Sequence, residues 1–366
     1  MSNTQKNNVP ELRFPGFEGE WEEKKLESII KVNSGKDYKH LDKGDIPVYG
    51  TGGYMTSVSE PLSEIDAVGI GRKGTINKPY LLEAPFWTVD TLFYCTPKKE
   101  TDILFILSLF RKINWKVYDE STGVPSLSKQ TINKINRFVP TNKEQQKIGK
   151  FFSKLDRQIE LEEQKLELLQ QQKKGYMQKI FSQELRFKDE NGNDYPEWEE
   201  TTIKEIAQIN TGKKDTKDAI TNGSYDFYVR SPIVYKINTF SYEGEAILTV
   251  GDGVGVGKVF HYVNGKFDYH QRVYKISDFK NYYGLLLFYY FSQNFLKETK
   301  KYSAKTSVDS VRKDMVANMK VPRPIYIEQE KIGQFIKKVD NKIKIQKQVI
   351  ELLKQRKKAL LQKMFI

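Results

Sequence analysis

Gly69-Ile70-Gly71-Arg72-Lys73-Gly74 has the G-x-G-x-x-G spacing of a phosphate-cradling turn, with Asp90 downstream where a ribose contact would be needed. That chemistry requires the glycines to open a helix whose N-terminus faces the pyrophosphate. Thr75-Ile76-Asn77-Lys78-Pro79 follows instead, and Pro79 stops any such helix almost at once. Asp252-Gly253-Val254-Gly255-Val256-Gly257-Lys258-Val259 has the outline of a P-loop, but Asp252 stands where the first glycine belongs. Val259 stands where a Mg²⁺-ligating Ser or Thr is required. The chain holds three histidines, His40, His261 and His270, and one cysteine, Cys95. So few ligands and nucleophiles exclude a disulfide framework, a structural zinc site and any Ser-His-Asp or Cys-His arrangement.

Two further candidates fail on spacing. Asn77-Lys78-Pro79-Tyr80 lacks one proline of the Asn-Pro-Pro-Tyr loop of adenine methyltransferases, and Glu22-Glu23-Lys24 has no paired Asp at nuclease spacing. What remains is a set of glycine-flanked basic and aromatic loops. In the first half they supply Lys36, Tyr49, Thr51, Tyr54, Arg72, Lys73, Thr75, Ser121 and Thr122. In the second they supply Lys213, Lys214, Tyr228, Arg230, Ser231, His270, Gln271, Arg272, Lys305, Thr306 and Ser307. Arg and Lys can fork onto guanine, Gln onto adenine, and hydroxyls onto phosphate. Each alone reads as an ordinary surface loop; the set points to DNA because it occurs twice.

The elements that must position these loops form an internal repeat. Leu12-Arg13-Phe14 recurs as Leu185-Arg186-Phe187, Trp21-Glu22-Glu23 as Trp198-Glu199-Glu200, and Ser34-Gly35-Lys36 as Thr211-Gly212-Lys213. Glu144-Gln145-Gln146-Lys147-Ile148-Gly149 recurs as Glu328-Gln329-Glu330-Lys331-Ile332-Gly333. Half of the positions from 144 to 181 are identical in the second copy, which chance cannot supply. Between these constant ends, β-branched and aromatic runs predict short strands at 46–49, 67–70, 91–96, 246–250 and 273–276. The apolar runs 103–110 and 283–291 predict buried helices. The fold class is mixed α/β (α+β).

Each copy closes on a heptad helix. Leu155, Ile159, Leu166 and Leu169 lie on one a/d seam that continues to Tyr176 and Ile180, and Val339, Ile343, Ile350 and Leu353 on the other. Polar residues interrupt both seams at matching places, Glu162/Gln346 and Lys173/Lys357, as register-fixing positions do. Antiparallel pairing of the two helices would bury both stripes. Of the net charge of +13 over 366 residues, most lies in these helices, whose basic outer faces are solvated by default. No apolar run reaches a membrane span, and the polar opening has no secretory h-region, so a cytoplasmic protein is expected.

Together these features resemble the specificity subunit of type I restriction–modification systems. The resemblance rests on the Leu-Arg-Phe…Trp-Glu-Glu segments, the Ser/Thr-Gly-Lys steps, and the Pro140…Glu144-Gln145 and Pro324…Glu328-Gln329 helix openings. It implies two pseudo-twofold-related target-recognition domains, 1–142 and 185–326, joined by antiparallel coiled-coil spacer helices, 143–184 and 327–366. Each domain would read one half of a bipartite double-stranded DNA site, with the helices setting the spacer. The chain would carry no active site, metal or cofactor of its own. Two modification (methyltransferase) subunits would bring S-adenosylmethionine, and restriction (translocase/nuclease) subunits ATP and Mg²⁺. The assembly would be a site-specific endonuclease and adenine methyltransferase of a bacterial or archaeal cytoplasm. The alternative is an orphan DNA-binding or anti-restriction protein without enzyme partners.

Overall fold

The computed structural model describes residues 8–301 and 310–366. It divides into two compact units, one built from the chain up to Lys165 with Gln346–Ile366, the other from Leu166–Ile345. In the first unit β1 (Glu22–Lys25), the helical turn α1 (Leu26–Ile29) and β2 (Ile30–Ser34) precede a hairpin of β3 (Ile46–Gly50) and β4 (Gly53–Val58). Then come β5 (Ala67–Gly71), β6 (Tyr80–Leu82), β7 (Trp87–Thr88), β8 (Leu92–Pro97), α2 (Ile103–Lys112), α3 (Lys129–Lys134) and β9 (Asn136–Val139). The long helix α4 (Asn142–Phe181) follows.

The second copy opens in the same way, with β10 (Glu199–Thr202), α5 (Ile203–Ile206) and β11 (Gln208–Thr211). It continues through β12 (Tyr225–Tyr228), β13 (Val234–Ile237), β14 (Tyr242–Val250), β15 (Phe260–Tyr269) and β16 (Val273–Ser277). Then α6 (Gly284–Lys300), α7 (Lys313–Ala317) and β17 (Lys320–Arg323) lead into α8 (Tyr326–Met364).

One antiparallel scaffold underlies both units. Its strand order is β2-β8-β5-β6 in the first and β11-β16-β14-β15 in the second, and a two-stranded ladder closes each base, β1-β9 or β10-β17. The periphery differs. In the first unit β4-β3-β7 form a separate sheet, whereas β12 and β13 extend the second unit's main sheet to six strands.

The glycine of the Ser/Thr-Gly-Lys step is a packing requirement. A Cβ on Gly35 would lie 2.0 Å from the Val89 carbonyl oxygen, and one on Gly212 1.9 Å from that of Tyr269. The strand registers fix the correspondence between copies: Cys95 opposite Val32 matches Ile276 opposite Ile209, and Leu92 opposite Gly71 matches Val273 opposite Val250, so Thr91 matches Arg272.

Each unit's core is completed by the end of the other copy's helix. Leu361 and Met364 of α8, with Phe365 just beyond it, join Trp21, Phe105 and Phe152 in the first unit. Met177 and Ile180 of α4 join Phe291, Phe295 and Ile336 in the second. Within each unit the helix segments run antiparallel, and the seam residues Ile159, Ile343 and Ile350 are buried while Leu155, Leu166, Leu169, Val339 and Leu353 are half-buried. The heptad reading needs one correction near its end: Tyr176 is exposed and Met177 takes the inward place. A straight helix at 3.6 residues per turn drifts away from a strict 3.5 repeat, and the globular core captures the neighbouring residue.

The polar seam positions interlock. Gln346 Nε2 donates to Glu162 Oε2 at 2.6 Å and to the Glu162 carbonyl at 3.0 Å. Lys357 pairs with Asp156 in the first unit, and Lys173 pairs with Asp340 at 2.6 Å in the second. The repeated Glu-Gln pair has two distinct tasks. Gln145 accepts from the Asp102 amide (3.0 Å) and donates to the Pro140 carbonyl (2.9 Å). Gln329 does the same with the Tyr283 amide (2.7 Å) and the Pro324 carbonyl (2.7 Å). Both tie the buried helix, α2 or α6, to the start of the long one. Glu144 and Glu328, 1% and 0% exposed, receive bidentate forks from Arg13 and Arg186.

Candidate nucleic-acid interface

In the first unit Arg72 follows β5 directly, and its backbone is held on both sides. Its amide donates to the Thr91 carbonyl at 2.8 Å, and its carbonyl accepts from the Leu127 amide at 2.9 Å. Lys73 then bridges to Ser126. This places Arg72, Lys73, Ser121 and Thr122 around one open cleft of about 610 Å³. Asp119 accepts from the amides of Ser121 and Ser126, which pulls its carboxyl below the ordinary range and shapes the Ser121–Ser126 turn. The Arg72 guanidinium lies 5.9 Å from the centroid of Phe93 and donates to the Asp90 carbonyl at 3.4 Å, so the head is braced although the residue is exposed.

The second unit builds the same junction from the opposite strand. Gly251 takes the place of Arg72: its amide donates to the Arg272 carbonyl at 2.8 Å and its carbonyl accepts from Val311 at 2.7 Å. Asp252 bridges to Ser310 as Lys73 does to Ser126. Arg272 thus stands at the Thr91 position. The two arginines are not equivalent in sequence, yet each rises from one member of the same hydrogen-bonded strand pair. Arg272 and Gln271 line a cleft of about 540 Å³ with Asp252, Arg312 and Lys313, while Arg230 and Ser231 line an adjoining one of about 380 Å³. Arg230 Nη1 donates to Asp252 Oδ1 at 3.2 Å, and Arg272 Nε lies 3.6 Å from Oδ2.

Other residues expected at the surface occupy different places. Tyr228 is 6% exposed and His270 3% exposed, so neither reaches a ligand outside the unit. Tyr228 packs on Phe267 and lies 4.9 Å from the His261 ring, because β12 runs parallel beside β15 inside the enlarged sheet. His270 is a brace: its Nδ1 accepts from the Arg272 amide at 2.9 Å, and burial depresses its pKa. Tyr49, Thr51 and Tyr54 belong to the β3–β4 hairpin, where Tyr49 contacts Tyr54 and Tyr80 at 6.3 and 6.1 Å between ring centroids. None of the three lines the Arg72 cleft. Lys36 and Lys213 are exposed beside the two close crossings at Gly35 and Gly212. Lys214 is half-buried and bridges to His270, and Thr75 is half-buried in the turn after Gly74. Lys305, Thr306 and Ser307 lie outside the described residues.

Asp252, Asp215, Arg312 and Lys313 were missed in the sequence. Superposing the β-run before Arg72 on the one before Asp252 would have paired Lys73 with Asp252. In the sequence Asp252 is only a departure from the P-loop pattern.

Among the described residues no group of three or more His, Cys, Asp or Glu could hold a metal ion, and no helix is long and apolar enough to cross a membrane. The type I restriction modification DNA specificity domain family matches residues 18–171 and again 195–355. A type I restriction enzyme specificity subunit, MjaVIII, of Methanocaldococcus jannaschii is 25% identical, covering 82% of this chain and 75% of that one. The EcoDI specificity subunit of Escherichia coli is 25% identical over 45% of this chain and 37% of its own. In fold, the chain is similar to a type I restriction–modification S subunit from M. genitalium, with TM-score 0.71, 16% identity and coverage of 98% and 99%.

Proposed function

The chain belongs to the type I restriction modification DNA specificity family, and from that premise we propose that it is the sequence-reading, non-catalytic subunit of a type I restriction–modification complex. One unit reads one half of a bipartite duplex site and the second reads the other. The observation that carries this is the strand junction of Arg72 and Arg272: one backbone scaffold, with an exposed arginine supplied from different strands and different neighbours around it. A shared scaffold with unlike side chains at its lip suits two different base sequences, since direct readout is a matter of donor and acceptor geometry in the groove.

Chemistry then belongs to partners: two modification subunits with S-adenosylmethionine, and restriction subunits with ATP and Mg²⁺, in the cytoplasm. The paired helices fix the unread spacer. Four residues inserted after Leu169 would add about 6 Å and lengthen that spacer by under two base pairs. The reading is tested by selecting random duplexes with the full-length chain and sequencing the bound pool. Enrichment of two half-sequences at fixed separation is expected. Arg72→Ala should relax one half only and Arg272→Ala the other, each by about 1–3 kcal/mol of base discrimination. A pool without sequence enrichment contradicts the reading.

A further inference from the structure

A carboxylate at a DNA-facing lip is electrostatically costly, because it repels phosphate. Yet Asp252 stands between the two clefts of the second unit, where the first unit has the exposed Lys73. Its oxygens are occupied from both sides, by Arg230 at 3.2 Å and Arg272 at 3.6 Å, and its own exposure is 29% against 50% and 64% for the two arginines. A guanidinium has five N–H donors in a rigid fork, so one held against a carboxylate keeps donors for a second planar acceptor.

The rest of the local geometry serves the same end. The backbone of Arg272 is fixed by the buried His270 ring and by the Gly251 amide. Gln271 donates to Asp215 at 3.3 Å, and Asp215 lies 3.6 Å from His270 Nε2. Two acids therefore hold three side chains capable of reading bases. An unbraced exposed arginine gives up rotamer freedom on binding, a cost that a pre-set fork reduces.

We propose that Asp252 is a positioning residue for base recognition: its carboxylate sets the Arg230 and Arg272 guanidiniums as a joined pair that reads guanine edges in the half-site of the second unit. The first unit presents Arg72 singly, braced by Phe93, so the two halves of the site differ in how many guanine contacts their junctions supply. The proposal rests on the reading of the second unit as a duplex DNA reader.

The test is random-duplex selection with the full-length chain as wild type, Asp252→Asn and Asp252→Glu, with salt-dependent affinity for a non-cognate duplex measured alongside. Asp252→Asn keeps the size and removes the charge. It should lower the preference for guanine at one or two positions of one half-sequence about fivefold or more. The other half-sequence should be unchanged, and non-cognate affinity equal or tighter. Asp252→Glu should restore part of the preference, because it restores the carboxylate. A merely electrostatic role would shift affinity equally for all duplexes with base preferences intact, and that result overturns the proposal. Loss of preference in both halves, as from general unfolding, overturns it as well. Wild-type protein that enriches no sequence overturns the functional reading beneath it, whereas an enriching wild type with an unaltered Asp252→Asn profile overturns only the positioning role.

Discussion

At the base of each unit the same side chains meet, and at the lip they diverge. Arg13 forks onto Glu144 at 2.8 and 2.7 Å, and Arg186 onto Glu328 at 3.3 and 2.8 Å. Around these clamps the neighbours differ: Arg13 also donates to the Gly19 and Glu18 carbonyls and Arg186 to that of Pro196. Trp198 Nε1 donates to Glu328 at 2.9 Å, whereas the buried Trp21 Nε1 has no partner among the described residues. At the lip almost everything differs: Asp252 stands where the first unit has Lys73, and Arg272 where it has Thr91. A buried carboxylate must be neutralised and hydrogen-bonded wherever it occurs, so its surroundings tolerate little variation. An exposed lip held by backbone bonds leaves its side chains free to vary. Constancy follows burial, and variation collects where a ligand would be met.

The clamps offer the largest effect. Arg13→Ala would leave Glu144 buried with no other side-chain donor among the described residues, and urea unfolding should show a loss of about 3–5 kcal/mol. Arg186→Ala leaves Glu328 with Trp198, and should cost less by about the 1.5–3 kcal/mol of a hydrogen bond to a charged group. Trp198→Phe should likewise destabilise more than Trp21→Phe, since only the first change takes a donor from a carboxylate. Equal costs within each pair would erase the asymmetry between the bases.

The helix seam comes next. Gln346→Glu would set a second carboxylate against Glu162, and unfolding at neutral pH should show a loss of about 1–3 kcal/mol from burying an unpaired charge. The like charge raises the pKa of the pair, so the loss should shrink as pH falls and one carboxyl takes up a proton. A pH-independent loss would show that packing, not charge, is disturbed.

The smallest effect is a pH difference between the units. Burial depresses His270 and His261, whereas their counterpart positions in the first unit hold no histidine. A depressed folded-state pKa means the unfolded chain binds the proton more readily. The second unit's stability from these groups is therefore full above about pH 6.5 and is lost as pH falls below it. His270→Asn retains an acceptor for the Arg272 amide but does not titrate. Acidification from pH 7.5 to 5.5 should destabilise the wild type more than this variant, read by the fluorescence of unfolding. An identical pH dependence would remove His270 from the account.

Much of the scaffold was legible in sequence because burial leaves periodic marks. The heptads of α4 and α8, the apolar runs of α2 and α6, and the repeated Glu-Gln and Gly-Lys steps are all consequences of packing. The lip was less legible. Arg72, Lys73, Ser121 and Thr122 converge on one cleft through hydrogen bonds among Thr91, Leu127 and Ser126, which are far apart in the chain. Tyr228 and His270 look like loop residues, but a parallel pairing of β12 with β15 buries them, and no local pattern records that pairing. Asp252 carries no signal of its own, since its role lies in arginines 22 and 20 residues away on either side.

The central claim is that one scaffold carries two independent readers, and transplanting one onto the other tests it most directly. β1 with β9 and β10 with β17 form matching ladders at the base, Glu22 opposite Val139 and Glu199 opposite Arg323, so residues 22–139 can replace 199–323 at equivalent junctions. Three of the contacts such a transplant must make persist, because Gln329, Gly333 and Asp340 repeat Gln145, Gly149 and Asp156. Random-duplex selection with this chimera should enrich a site made of the first half-sequence twice, with the second half-sequence absent. A chimera that folds but retains the second half-sequence, or selects one found in neither half of the wild-type site, would contradict the account.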